Sequence, residues 1–466
     1  MNPLKKLASQ TAIYGLSSVV GRLLNYLLVP LYTRYFLPAE YGVVTELYAY
    51  VAFLAVMLTY GMETAFFRFS KKEETTKVYS TTLISLLMSS VIFVALIFLN
   101  ASVISEWLGY VNNPEYIKFF ALIIGMDAVA SISFAKLREQ GKAIRFASIR
   151  IVNIIVNIGL NLYFIVFLDY GIAYIFIANL IASFITLIML LPQMLSSSWV
   201  FDKKLWRKMT IYALPLLVAG LAGMTNETID RVLLKHLLTN SDIAASELGL
   251  YGAFYKLSII MTLFIQTFRF AAEPFFFAQE KLGNDRIIYA DVMKYFTIIM
   301  AIIFLGVTIF YDVIKGFLGS QYHDERGFEV VSILLLANLF LGIYYNLSIW
   351  YKLTEKTKYG AYLSVFGAVI TLSLNFTLIP VFGFVGCAWT TLVCYFSMTI
   401  ASYYLGKRHF SVPYQVKRIS LYLLGMLCIY FCIYFTNLNM WINSLFLLVF
   451  VIFVYCLEKP KLSLKL

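Results

Sequence analysis

Ten charged side chains in or beside segments of this 466-residue chain that are otherwise apolar enough to cross a membrane are candidates for chemistry. They are Arg22, Glu46, Glu63, Asp127, Glu227, Asp230, Arg231, Lys256, Arg269 and Glu273. An ionised group at the middle of a bilayer costs roughly 2.5–3.5 kcal/mol on insertion scales, so such residues normally face a hydrated cavity or a partner. The cations Arg22, Arg231, Lys256 and Arg269 suit a diphosphate, because guanidinium groups grip phosphate bidentately and do not lose their charge. For Arg231 and Arg269, near the ends of their segments, snorkelling to the interface is the competing explanation. The carboxylates Glu46, Glu63, Asp127 and Asp230 could take a coupling proton or sodium ion. Asp230 beside Arg231, and Glu63 near Arg68, read equally well as neutralised pairs. Glu46 has no basic residue within one helical turn.

Asn153, Asn157 and Asn161 recur every four residues, which puts all three on one helix face. They could hydrogen-bond sugar hydroxyls. The simpler and favoured reading is that they hold neighbouring helices together, at about 0.6 kcal/mol each. No catalytic constellation accompanies them. The three His residues (236, 323 and 409) are far apart, and no metalloprotease, nucleophile-elbow or phosphate-loop motif is present. The five Cys residues lie in apolar segments with no metal or disulfide spacing, so no cofactor is expected.

The elements that must position these residues are transmembrane helices. Hydrophobic residues make up 61% of the chain and charged residues only 13%, against about 25% charged in a soluble domain. Uncharged runs such as 78–105, 170–201 and 359–406 are as long as one or two bilayer spans of roughly 20 residues. The pattern predicts an all-α polytopic protein with fourteen spans, near 10–32, 42–65, 80–101, 117–135, 150–168, 171–193, 210–231, 249–272, 291–311, 330–350, 361–380, 384–405, 419–436 and 440–457. With both termini in the cytoplasm, the outer segments hold only Arg34, Lys118, Arg231, Lys235, Lys315 and Arg326 of the 37 Lys and Arg residues. Nearly all the others fall on inner segments, as the positive-inside rule requires. The net charge of +12 is then a cytoplasmic rim meeting anionic lipid. Spread over many short segments, it does not suggest nucleic acid.

The chain also repeats itself. Lys136-Leu137-Arg138-Glu139 returns 216 positions later as Lys352-Leu353-Thr354-Glu355, Glu40-Tyr41-Gly42-Val43 returns after 207 as Glu247-Leu248-Gly249-Leu250, and Leu160-Asn161-Leu162 returns after 214 as Leu374-Asn375-Phe376. Two tandem six-span halves are implied, 1–200 and 201–406, followed by two additional spans in 407–466. An even number of spans per unit gives the halves one orientation, with a wet, basic cleft expected between them. The charged residues concentrate on spans 1, 2, 7 and 8, which are equivalent in the two halves.

Arg34-Tyr35-Phe36-Leu37-Pro38-Ala39-Glu40-Tyr41-Gly42 resembles the opening signature of bacterial polysaccharide transporters, the lipid-linked oligosaccharide (O-antigen) flippases of the multidrug/oligosaccharidyl-lipid/polysaccharide exporter superfamily. Asp230-Arg231-Val232-Leu233-Leu234 with Glu247 to Ala253, and Asn375 to Pro380 with Gly383 and Gly386, resemble that family's later signatures. The first-half copy departs from the last of these, with Val166 and Asp169 where the second half has Pro380 and Gly383.

The resemblance implies a multi-pass protein of the bacterial plasma (inner) membrane. It would carry a polyprenyl-diphosphate-linked oligosaccharide by alternating access, in contact with membrane lipid, a coupling cation and glycan-assembly proteins. A lipid II flippase is the nearest alternative. A drug exporter of the same superfamily typically has twelve spans and an acidic cavity. A membrane glycan polymerase usually needs a sizeable outer loop, which this sequence lacks.

Overall fold

The computed structural model describes residues 20, 21, 23, 24, 26–281, 286–436 and 439–462. Among them all regular secondary structure is helical, and the chain falls into two compact units, Met1–Gly249 and Leu250–Leu466. Among the described residues eleven helices are long and apolar enough to cross a membrane, and a bent pair at Ser258 makes a twelfth. Inner and outer ends below follow the charge-derived topology.

The first unit holds α1 (Leu28–Tyr35), α2 (Pro38–Thr59), α3 (Met62–Phe69), α4 (Thr75–Trp107), α5 (Pro114–Glu139), α6 (Ala143–Asn161), α7 (Ala173–Leu195), α8 (Lys203–Leu237) and the start of α9 (Ser241–Leu257). The opening signature has a local physical meaning. Pro38 occupies the first turn of α2, where its missing N–H is harmless, and the Glu40 carboxylate accepts the Leu37 N–H at 2.9 Å. At the start of α8, Asp202 accepts the Lys204 and Leu205 N–H groups at 2.8 and 3.0 Å. The Lys77 ammonium 2.7 Å away and those amides hold its carboxyl down at about 2, so the cap keeps its charge. Gly125 on α5 lets α4 lie close, since a Cβ there would stand 2.9 Å from the Val94 side chain. A packed core of Met62, Phe66, Tyr79, Ile132, Leu137, Leu190 and Met209 closes the inner end of this unit.

The second unit holds α10 (Ile259–Lys281), α11 (Ile287–Ile309), α12 (Tyr311–Lys315), α13 (Gly327–Leu347), α14 (Ile349–Leu353), α15 (Lys358–His409), α16 (Val416–Thr436) and α17 (Met440–Leu462). A 52-residue helix would be about 78 Å long, far more than the roughly 30 Å hydrocarbon core. α15 is therefore two spans, turned at Gly383, whose φ of 55° and ψ of −136° only glycine readily adopts. The additional C-terminal pair is tied to α11 by a buried cluster: Glu458 accepts from Lys294 at 2.6 Å, Arg418 at 3.0 Å and Tyr422 at 2.6 Å.

Several predicted spans differ in detail. Span 1 lies largely outside the described residues. Span 2 is α2 plus α3, interrupted where Tyr60 and Gly61 both take left-handed φ values of 32° and 71°. Span 8 begins earlier than expected, at Ser241, and bends by 46° after Leu257.

The repeat is clearest in the backbone. Asp169 has φ 53° where Gly383, 214 positions on, has 55°. Asp169 thus shares the positive φ of Gly383, and Asn161 and Asn375, the same distance apart, are both fully buried. Gly141 (φ 68°) matches Glu355 (φ 58°) at this spacing too, so the basic-loop echo is in register at 214 rather than 216.

Candidate functional site

The polar side chains of the first unit form a track. At its inner end Glu63 on α3 pairs with Arg138 on α5. Lys136, buried at 6% exposure, sits 3.9 Å above the Tyr79 ring, and Arg68 lies 4.2 Å above Tyr212. Stacking of this kind offsets part of the desolvation of a cation. One level deeper, Arg150 on α6 lies 4.2 Å above Phe134 and feels the charges of Asp127, Arg138 and Glu63. Asp127, halfway along α5, is exposed, with the Ser183 hydroxyl of α7 beside it.

Further along, the asparagine stripe joins helices. Asn153 donates to Thr186 at 2.9 Å, Asn161 donates to Asn157 Oδ1 at 2.9 Å, and the Tyr32 hydroxyl donates to Asn161 at 2.9 Å. Asn179 donates to Tyr48 at 2.8 Å. In this arrangement Asn153 and Asn161 bridge helices of one unit.

Glu46 lies at the outer end of this unit and is fully buried. Its carboxylate accepts from the Tyr110 hydroxyl and from Lys235 Nζ at 2.7 Å, with His236 3.9 Å away and itself bonded to Tyr50. Lys235 also donates to the Leu108 carbonyl at 2.7 Å and lies 3.8 Å above the Tyr110 ring. The sequence places no base near Glu46; the fold brings one from 189 positions away. One turn outward, α2 and α9 touch through the repeated glycines. A Cβ on Gly42 would stand 2.1 Å from the Ala245 carbonyl oxygen, and one on Gly249 would stand 1.8 Å from that of Pro38.

The remaining predicted residues are distributed as follows. Arg22 and the Glu273 side chain lie outside the described residues. Arg231 is buried, donates to the Glu227 carbonyl at 2.9 Å and stands 4.0 Å from the Asp230 carboxylate. In the second unit Lys256 is half-buried in the last turn of α9, and the Arg269 guanidinium lies 4.0 Å above Tyr345. No cluster with metal-ligand geometry occurs among the described residues.

Arg150 was missed in the sequence because it was counted with the inner basic loop. Its signal was its position three residues before Asn153, on the same helix face. Lys235 left no local signal.

Comparison with known proteins places this architecture. Residues 7–278 match the family model described as polysaccharide biosynthesis protein. A lipid II flippase MurJ structure in an inward closed conformation superposes with a TM-score of 0.78 at 16% identity, covering 96% of this chain and 99% of that one. An inward-facing multidrug resistance MATE family transporter of the MOP superfamily gives 0.68 at 14% identity, covering 88% and 95%. A MOP superfamily transporter from Pyrococcus furiosus gives 0.56 at 13%, covering 86% and 94%. No curated protein sequence matches. At these identities the structures establish a shared fold, and the apolar spans of this chain make it a multi-pass integral membrane protein. The family model spans more than half of the sequence, so this chain belongs to the polysaccharide biosynthesis protein family.

Proposed function

We propose that the chain is a flippase that moves a polyprenyl-diphosphate-linked oligosaccharide from the inner to the outer leaflet of the bacterial plasma membrane by alternating access. The product would feed assembly of a surface polysaccharide of the O-antigen or capsule type. The observation that carries this reading is the placement of guanidinium groups within apolar spans of a fold shared with a lipid II flippase. A headgroup diphosphate must leave water to cross, and arginine supplies paired donors with a fixed charge.

In this reading Arg22, Arg231, Lys256 and Arg269 receive the diphosphate in turn, and the prenyl tail stays in lipid. Glu46, Glu63, Asp127 and Asp230 are the candidates for binding a coupling proton or sodium ion. The sequence holds no nucleotide-binding motif, so an ion gradient or the membrane potential is the expected source of work. The potential supplies about 2.3 kcal/mol per charge per 100 mV.

A second reading, transport of lipid II itself, has the high structural similarity to MurJ in its favour. Both cargoes are prenyl-diphosphoryl sugars, and one experiment separates them. Proteoliposomes containing the purified chain are offered a fluorescent prenyl-diphosphoryl oligosaccharide and, in parallel, fluorescent lipid II, each scored by accessibility to an outside quencher. Translocation of the first, slowed at least tenfold in Arg269→Gln, is the expected result. Movement of lipid II alone would favour the second reading. Movement of neither would overturn both.

A further inference from the structure

Arg150, like Arg68, is exposed and stacked on an aromatic ring, but it also lies in the field of a mid-span carboxylate, which sets it apart from the other inner-end cations. Arg138 is neutralised by Glu63, and Lys136 is buried against Tyr79. Arg150 is exposed, yet its guanidinium is stacked on Phe134. Among the described residues no carboxylate lies within ion-pair distance of it, and it makes no hydrogen bond. Its principal counter-charge is Asp127, close enough to be felt and too far to be bonded. That gap separates a flat, aromatic-backed set of N–H donors from a mid-span carboxylate. An anion entering there would meet attraction from one side and repulsion from the other.

We propose that Arg150 is a docking residue for the headgroup phosphates in the first unit, and that Asp127 competes with the substrate for it. The carboxylate of Asp127, when charged, neutralises Arg150 and repels the phosphates. Taking up one proton converts it to a neutral acid, removes the repulsion and leaves Arg150 free to donate to phosphate oxygens. Anion binding and protonation of Asp127 therefore favour each other, which links headgroup capture to proton uptake at one place. The linkage is reciprocal by thermodynamic necessity.

The groups around the pair are few. Ser183 on α7 and Tyr48 on α2 face Asp127, while Arg138 on α5 and Glu63 on α3 face Arg150. The stretch of α4 packed at this level, Leu86 to Ile97, carries no ionisable side chain. Asp127 is thus the acid whose protonation most directly changes the field at Arg150. The stripe continues outward from Arg150 through Asn153 and Asn157, giving sugar hydroxyls or water a polar surface beyond the phosphates.

This inference rests on the flippase reading, and the test distinguishes the two. The probe is a water-soluble short-chain prenyl-diphosphoryl-N-acetylglucosamine, a diphosphate diester whose own charge is constant over the range used. Its affinity for the full-length purified chain is measured by calorimetry from pH 5.5 to 8.5 at fixed ionic strength. Wild type is expected to bind at least threefold more tightly at the acid end. Asp127→Asn should bind at the tight value throughout, and Arg150→Gln at least tenfold more weakly throughout, with Arg150→Lys recovering part of the loss. The loss of pH dependence in Asp127→Asn is the decisive arm, and it is readable even if Arg150→Gln fails to fold. Equal binding by wild type and a folded Arg150→Gln, or an unchanged pH slope in Asp127→Asn, would overturn the assignment while leaving the flippase reading standing. No wild-type binding at any pH would remove the flippase reading itself.

Discussion

At the scale of single residues, the outer cluster shows why a buried charge is informative only with its partner. Glu46 is fully enclosed and Lys235 nearly so, with 15% of its side chain exposed. Removing one member of such a pair leaves the other charged, desolvated and unmatched, which typically costs about 3–5 kcal/mol, whereas replacing both with neutral groups is often close to neutral. Lys235→Ala should therefore lower the melting temperature of the detergent-purified protein markedly. Adding Glu46→Gln to that variant should restore most of the loss. A double variant no more stable than Lys235→Ala would mean that the lysine acts through its contacts to Leu108 and Tyr110 instead.

At the scale of elements, glycine position matters more than helix propensity. α2 and α9 cross at Gly42 and Gly249 with their backbones in contact, and each glycine has the other's amide nitrogen 3.1–3.2 Å from where a Cβ would stand. These are the two residues that the 207-position repeat pairs with one another. The motif is thus a contact between equivalents as well as a helix start. Neither helix can accept even a methyl group without moving, and overpacking of this kind costs typically 1–3 kcal/mol. Gly42→Ala should lower the melting temperature and reduce export, and Gly249→Ala should do the same. Gly223→Ala, where a Cβ meets nothing within 4 Å, is the matched control and should behave as wild type. Loss of stability in the control as well would shift the cause from the crossing to helix α8 or α9 in general.

At the scale of the whole molecule, charge distribution predicts which way the chain sits in the membrane. Lys142 follows α5 in a basic inner segment, and Lys315 ends α12 in a segment assigned to the outside. In a background lacking the five native cysteines, Lys315→Cys in intact cells should react with a membrane-impermeant maleimide. Lys142→Cys should react only after permeabilisation. Labelling of both from one side would break the predicted alternation of spans.

The sequence alone determined that the chain crosses a membrane many times and roughly where the described spans lie, and it carries the internal echoes. Hydropathy and charge are local, one-dimensional properties, and a bilayer reads them one segment at a time. The glycine and asparagine motifs were equally legible, because backbone turns and helix faces are set within a few residues. Only the tertiary structure decided which charge answers which. Glu46 meets Tyr110 and Lys235, Glu63 meets Arg138 rather than Arg68, and Lys294 meets Glu458, at separations of 64 to 189 positions. A buried ion is stabilised by whatever packing brings within a few ångströms, and nothing in its own neighbourhood of the chain encodes that partner.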